Sequence, residues 1–231
     1  MKADGLALVQ GWPDTVATLR RWRGAPRRRL TEWALGSAVV ALALLAATWY
    51  VAMRLPVDPN PYPFPGLTRP AHFTDFAFVV YRNLLVLGLH AMACVAGFIA
   101  GSPRYVDPGR RLAARLHRRA GQLAIAFVAG ATLFSLATQA IALGAGARDL
   151  SARLGVSPFV LLATLAPHAV PELFALFLPL AAWILASRRG AWRELLAATC
   201  VTTAIAVPIL VGAAAIETWI TPGLLHGLLP G

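Results

Sequence analysis

Five stretches of this chain are apolar over the length of a membrane crossing, and charge or proline concentrates between them. They run over about 33–53, 77–100, 121–146, 157–187 and 194–218, against the roughly 20 helical residues that span a bilayer core. The pattern predicts an all-α fold, a polytopic membrane helix bundle with five spans. The first span is uncharged and bracketed by Trp33 and Trp49–Tyr50, positions suited to an aromatic belt. Six prolines between Pro56 and Pro70 make 54–76 an extended spacer. The second span carries Arg82, Asn83 and His90, with Gly97 and Gly101 as a small-xxx-small pair that permits close helix packing. The third is rich in Ala and Gly and holds Thr132, Ser135, Thr138 and Gln139, and a short loop with Arg148, Asp149 and Arg153 follows. The fifth is expected to kink at Pro208 and to end near Glu217.

The fourth stretch is the unusual one. Ser157–Pro158 reads as an N-cap followed by proline at the first helical position. The stretch is about 15 Å longer than a bilayer core requires. Pro167 and Pro171 each lack an N–H and clash with the preceding turn. The expectation is a half-helix that re-enters the membrane, a break over 167–171, and then a full crossing. His168 and Glu172, at i and i+4, would share a face where the backbone is helical.

Residues 1–32 form a basic leader, and 33–231 form the membrane domain. A short helix opening at Pro13 or Asp14 would put Trp12, Val16, Leu19 and Trp22 on one face, as in an interfacial amphipathic helix whose arginines snorkel to headgroups. A frayed basic tail is the alternative. In the loop 102–120, Pro108 could start a second short helix, and Arg110, Arg111, Arg115, Arg118 and Arg119 are candidates for contact with a cytoplasmic partner. No cleavable signal peptide is expected, because the leader is too long and the first apolar run is of full span length.

Composition agrees with a membrane protein: 58% of residues are hydrophobic and 13% charged, against about a quarter charged in soluble domains. The formal charge of +11 does not imply nucleic acid, because the basic residues occupy short segments between apolar runs. They divide sixteen to four between the two sides. This puts the chain in the cell membrane with its N-terminus cytoplasmic and its C-terminus extracytoplasmic. Cys94 and Cys200 both fall in apolar spans and read as core residues rather than a disulfide or metal pair.

Helical rise also estimates depth. Glu172 lies about 24 Å above Arg188, Arg82 about 29 Å above Gly101, Gln139 about 30 Å above Arg119 and Glu217 about 36 Å above Arg193. Arg82, Asn83, Gln139, His168, Glu172 and Glu217 would therefore share one outer layer, with His90 near the midplane. An unpaired charge there is costly, so Arg82 is expected to pair with Glu172 or Glu217. The layer could be a structural clasp, or a site for a partner segment or a lipid-like molecule. His168 and Glu172, with His90 and Glu217, could in principle ligate zinc through N and O atoms. No metal or cofactor is expected, however: HExxH is absent, no second histidine stands at ligand spacing, and His90 lies about 12 Å below Arg82. Nucleophile motifs and phosphate-binding loops are also absent, so no enzymatic activity is expected.

The run Ala166–Pro167–His168–Ala169–Val170–Pro171–Glu172–Leu173 and the ending Ala215–Ile216–Glu217–Thr218–Trp219–Ile220–Thr221–Pro222 resemble the signatures of the stage II sporulation protein M family. Arg82–Asn83 and Gly97/Gly101 are similar to its first conserved helix, and the likeness covers roughly 77–225. Ala169 stands where the family usually has glycine. The resemblance implies five spans, no catalysis, and a membrane platform for envelope partners that remodel peptidoglycan. A second expectation of a different class is a permease subunit laid out like type-2 ABC exporters, with a separate ATPase docking at 102–120. Either is compatible with a homodimer.

Overall fold

The computed structural model describes residues 7–24, 26–58, 67, 69–101 and 111–229. Seven α-helices follow one another: α1 (Ala7–Trp22), α2 (Pro26–Ala52), α3 (Phe73–Gly101), α4 (Arg111–Leu154), α5 (Pro158–Arg189), α6 (Leu195–Ala215) and α7 (Thr221–His226). A 3-10 turn, Trp192–Glu194, leads into α6, and a π-helical turn, Ile216–Ile220, joins α6 to α7. Five helical stretches are long and apolar enough to cross a membrane: Arg27–Ala52, Phe73–Ile99, Ala126–Leu154, Pro158–Arg189 and Trp192–His226. The chain is an all-α polytopic bundle, as the hydrophobic pattern predicts.

Helix α5 is the axis of the bundle. Over half of its apolar window is buried, 56% against 6% for α4, because it is hydrophobic all round and α2, α3 and α6 pack about it. Burial is continuous from Ala175 to Trp183. Ser157 caps it in an extended conformation, its Oγ accepting from the Val160 N–H at 3.3 Å, with Pro158 at the first position. Gly190 closes it at φ 66°, donating to the carbonyls of Ala186 and Ser187; only a glycine adopts that conformation freely.

The expected break is not there. Pro167, Pro171 and Pro179 all lie inside one continuous helix of 32 residues, so no half-helix re-enters. The physical reason is the medium: a broken turn in hydrocarbon would expose more carbonyls that no water can satisfy, so the helix persists. Three buried side chains from the flanking helices aim at α5 carbonyls around Pro179. Ser37 Oγ donates to Phe174 O, His90 Nδ1 meets Leu176 O at 3.0 Å, and Cys94 Sγ donates to Pro179 O at 3.2 Å. Cys94 and Cys200 are both free thiols, Cys94 buried as expected but Cys200 exposed on the outer face of α6 rather than in the core. Pro208, like the α5 prolines, sits within a continuous helix, α6.

Other boundaries move. The segment with Arg148, Asp149 and Arg153 is not a loop but the end of α4, whose 44 residues extend about 66 Å. Pro108 and Arg110 lie outside the described residues, as do the side chains of Arg111, Arg115, Arg118 and Arg119 on the first turns of α4. Most of the proline spacer also lies outside them. Helix α1 starts at Ala7 and runs through Pro13. Its buried face is Gly11, Thr15, Thr18 and Trp22, turned toward α6 and the 3-10 turn, while Trp12 is 58% exposed. The apolar face expected to meet lipid is thus split, and a small-residue face docks α1 on the bundle, with Gly11 against Phe98.

Docking at this end is electrostatic and aromatic together. Arg29 bonds Glu194 at 2.5 Å, Arg189 bonds Glu32 at 2.8 Å, Trp22 meets Trp33 edge-on at 5.4 Å, and Arg29 lies over Trp22. Gly97 does mark a close approach, as expected: a Cβ there would lie 2.9 Å from both Trp183 Nε1 and Leu195 Cδ1. The surroundings of Gly101 lie outside the described residues. Among the described glycines outside α1, the closest approach is at Gly144, where a Cβ would sit 2.6 Å from Val51 Cγ1 and 3.0 Å from the Thr48 carbonyl of α2. Gly144→Ala should therefore push α4 off α2 and cost about 1–3 kcal/mol, seen as a lower Tm in detergent. Gly146→Ala, with nothing within 4 Å of its Cβ, should leave the Tm unchanged or raise it.

Candidate functional site

Polar side chains gather at the end of the bundle opposite the Arg29–Glu194 pair. A cleft of about 370 Å³ opens there between α2, α3, α4 and α5. Its walls are largely apolar, including Leu45, Leu143, Leu161, Leu162 and Leu165, and Arg82, Asp149, Arg153, His168, Glu172 and Glu217 supply its polar side. Four of the six residues expected in one outer layer fall together at or beside this cleft: Arg82, His168, Glu172 and Glu217. Asn83 joins them, close enough to act on the Glu172 carboxylate. It is 2% exposed, and its Nδ2 completes no hydrogen bond.

Gln139 does not join. Its amide donates to Ser135 Oγ of its own helix at 3.0 Å, and it does not line the cleft. Its height was readable from helical rise, but its direction around α4 was not. His90 is a buried interhelical hydrogen-bonder, as its depth suggested.

The expected ion pair is also absent. Among the described residues Arg82 makes no contact ion pair with either glutamate, although its charge acts on both. The two glutamates instead approach each other. One ligand-capable atom from each of His168, Glu172 and Glu217 lies within 4.8 Å of the other two, and Glu217 Oε2 is buried without a hydrogen-bond partner. The absence of HExxH misses this arrangement because the third group arrives from the π-helical turn, on a different span.

Two features bring the three groups together. The continuous α5 keeps His168 and Glu172 one turn apart on one face. The π-helical turn adds a residue between α6 and α7, which turns Glu217 inward and sets Thr221 beside His168. Such turns recur at functional sites. Thr221, which lies inside the Ala215–Pro222 run but was assigned no role there, bonds His168 Nδ1 at 2.9 Å and Ile216 O at 3.1 Å. A carbonyl cannot donate, so the Thr221 hydroxyl proton goes to Ile216 O and the hydroxyl oxygen accepts from His168 Nδ1–H. The imidazole Nε2 is then left with its lone pair. Asp149 and Arg153 also line the cleft, and Asp149 accepts the Asp58 N–H at 2.8 Å.

Two acids held together without a contacting cation do not form the expected Arg82 ion pair, and substitutions separate a structural clasp from a working site. In chelator-treated protein, Glu172→Gln should leave the Tm unchanged or raise it, because it relieves like-charge repulsion. Arg82→Gln should lower it by roughly 2–4 °C, for a loss of about 1 kcal/mol, and adding Glu172→Gln to it should restore most of that loss. A large drop for Glu172→Gln alone would restore the clasp.

Compared with family models, with curated proteins and with solved structures, the chain finds no match, and the chemistry of the site is read from its own residues.

Proposed function

We propose that the chain is a non-enzymatic, multi-pass protein of the cell membrane that holds an envelope partner through the outer cleft, as a platform of the stage II sporulation protein M kind. The observation that carries this reading is the cleft itself: apolar walls with a charged edge, set beside a packed bundle core. An apolar segment with a polar terminus, from a partner protein or a lipid-linked chain, suits such a lining. The nearly unburied α4, with Phe127, Leu133, Phe134 and Ile141 outward, offers lipid or a second subunit an uninterrupted apolar face. The sixteen-to-four division of basic residues supports a cytoplasmic N-terminus and a cleft that opens on the outer side.

Site-specific photo-crosslinking in native membranes tests the reading. A photoreactive residue at Leu143 or Leu162 should trap a discrete envelope protein that one at Phe127 does not. Lipid adducts alone at all three positions would remove the platform reading. Recovery of an ATPase bound near Arg111–Arg119 would replace it with the permease subunit. Orientation is checked separately in a background lacking Cys94 and Cys200. Ser157→Cys should react with a membrane-impermeant maleimide in intact cells, and Gly24→Cys only after permeabilisation.

A further inference from the structure

We infer that His168, Glu172 and Glu217 form a binding site for one divalent transition-metal cation, of which zinc is the best match to the donors. The inference does not depend on the cleft having a protein partner. It starts from a charge imbalance. Two carboxylates share a small volume with an imidazole, inside apolar spans, and no cation among the described residues touches either of them. Like charges in such a place are expensive. A dication placed between them cancels both charges at once, which a single arginine at longer range does not.

Geometry and chemistry agree with this. Three atoms that all lie within 4.8 Å of one another are at most about 2.8 Å from a common centre, so none needs to move more than roughly 0.7 Å to reach the 2.0–2.2 Å of zinc–nitrogen and zinc–oxygen bonds. Rotation of the glutamate side chains covers that distance. The donor set, one imidazole nitrogen and two carboxylate oxygens, is a three-protein-ligand arrangement of the kind that leaves a fourth position open, here toward the cleft.

The outer contacts point the same way. A metal-binding histidine characteristically donates its other N–H to a fixed acceptor. His168 Nδ1–H has that acceptor in the Thr221 hydroxyl, itself locked by Ile216 O of the π-helical turn. Asn83, 2% exposed and with its Nδ2 unpartnered, stands beside Glu172. A carboxylate drawn toward a cation would present its second oxygen to that amide. The geometry thus offers a ligand set, a fixed tautomer and a waiting second contact.

The experiment uses full-length, tag-free protein in mild detergent, stripped with chelator and titrated with zinc chloride and, separately, cobalt(II) chloride. The expected result is one equivalent of zinc per chain retained through gel filtration, and visible cobalt absorption that saturates at one equivalent. Thr221→Val should weaken affinity about 10–100-fold with the elution profile unchanged, and the double variant Glu172→Gln/Glu217→Gln should abolish retention. Less than a tenth of an equivalent bound to the wild type, or full retention by a folded double variant, overturns the site. Should the double variant fail to fold, the cobalt titration of the wild type decides alone. Failure here leaves the crosslinking outcome untouched, and the reverse is also true.

Discussion

The structure depends first on the absence of water in the bilayer core. Each backbone carbonyl left without a donor there costs several kcal/mol, so the cheapest answer to a proline is an intact helix. Helix α5 contains three prolines and remains one helix. Ser37, His90 and Cys94 reach it from α2 and α3, and each spends its one polar group on an α5 carbonyl. These contacts also orient α5 against its neighbours, which an apolar surface alone does poorly in lipid. The same rule operates at Ile216–Ile220, where the widened turn leaves Ile216 O to the Thr221 N–H and hydroxyl.

That backbone economy is what positions the polar site. A break at Pro167–Pro171 would have separated His168 from Glu172, whereas a continuous helix stacks them one turn apart. The π-helical turn then brings Glu217 against them from the last span. The resulting group is acidic, and Arg82 influences it without touching it. At the other end of the bundle the charges are paired directly, Arg29 with Glu194 and Arg189 with Glu32, each partly exposed. Exposed pairs of that kind add little stability, but here they join α2, α5 and the turn before α6, while α1 is held through Trp22 against Trp33 and Arg29. The cleft end holds both arrangements: Arg69 pairs directly with Asp75 there, whereas Glu172 and Glu217 meet no contacting cation among the described residues.

The expectations that failed share a cause. Reading prolines as breaks took their local clash as decisive, whereas α5 carries three of them in one continuous helix. Reading Trp12, Val16, Leu19 and Trp22 as a lipid-facing stripe assumed that α1 had no protein neighbour, yet Gly11, Thr15 and Thr18 let it settle against the bundle. Placing Gln139 in the polar layer used its height without its direction, and Arg82 was paired by the same shortcut. Thr221 lay inside the Ala215–Pro222 run but was assigned no role there, because its role exists only once two spans are packed.

What the sequence determined by itself was the number of apolar helices long enough to cross a membrane, their approximate places along the chain, and the spacing of the polar groups along each. All of these follow from hydrophobic length and from a rise per residue that packing hardly alters. What only the tertiary structure decided was rotation and contact: which face of each helix turns inward, that α5 survives its prolines, and that Glu217 meets His168 and Glu172. Those depend on interdigitation between spans distant in the chain, such as Gly144 against Val51 and Gly97 against Trp183. No local pattern encodes them, because the energy resides in the pair and not in either residue alone.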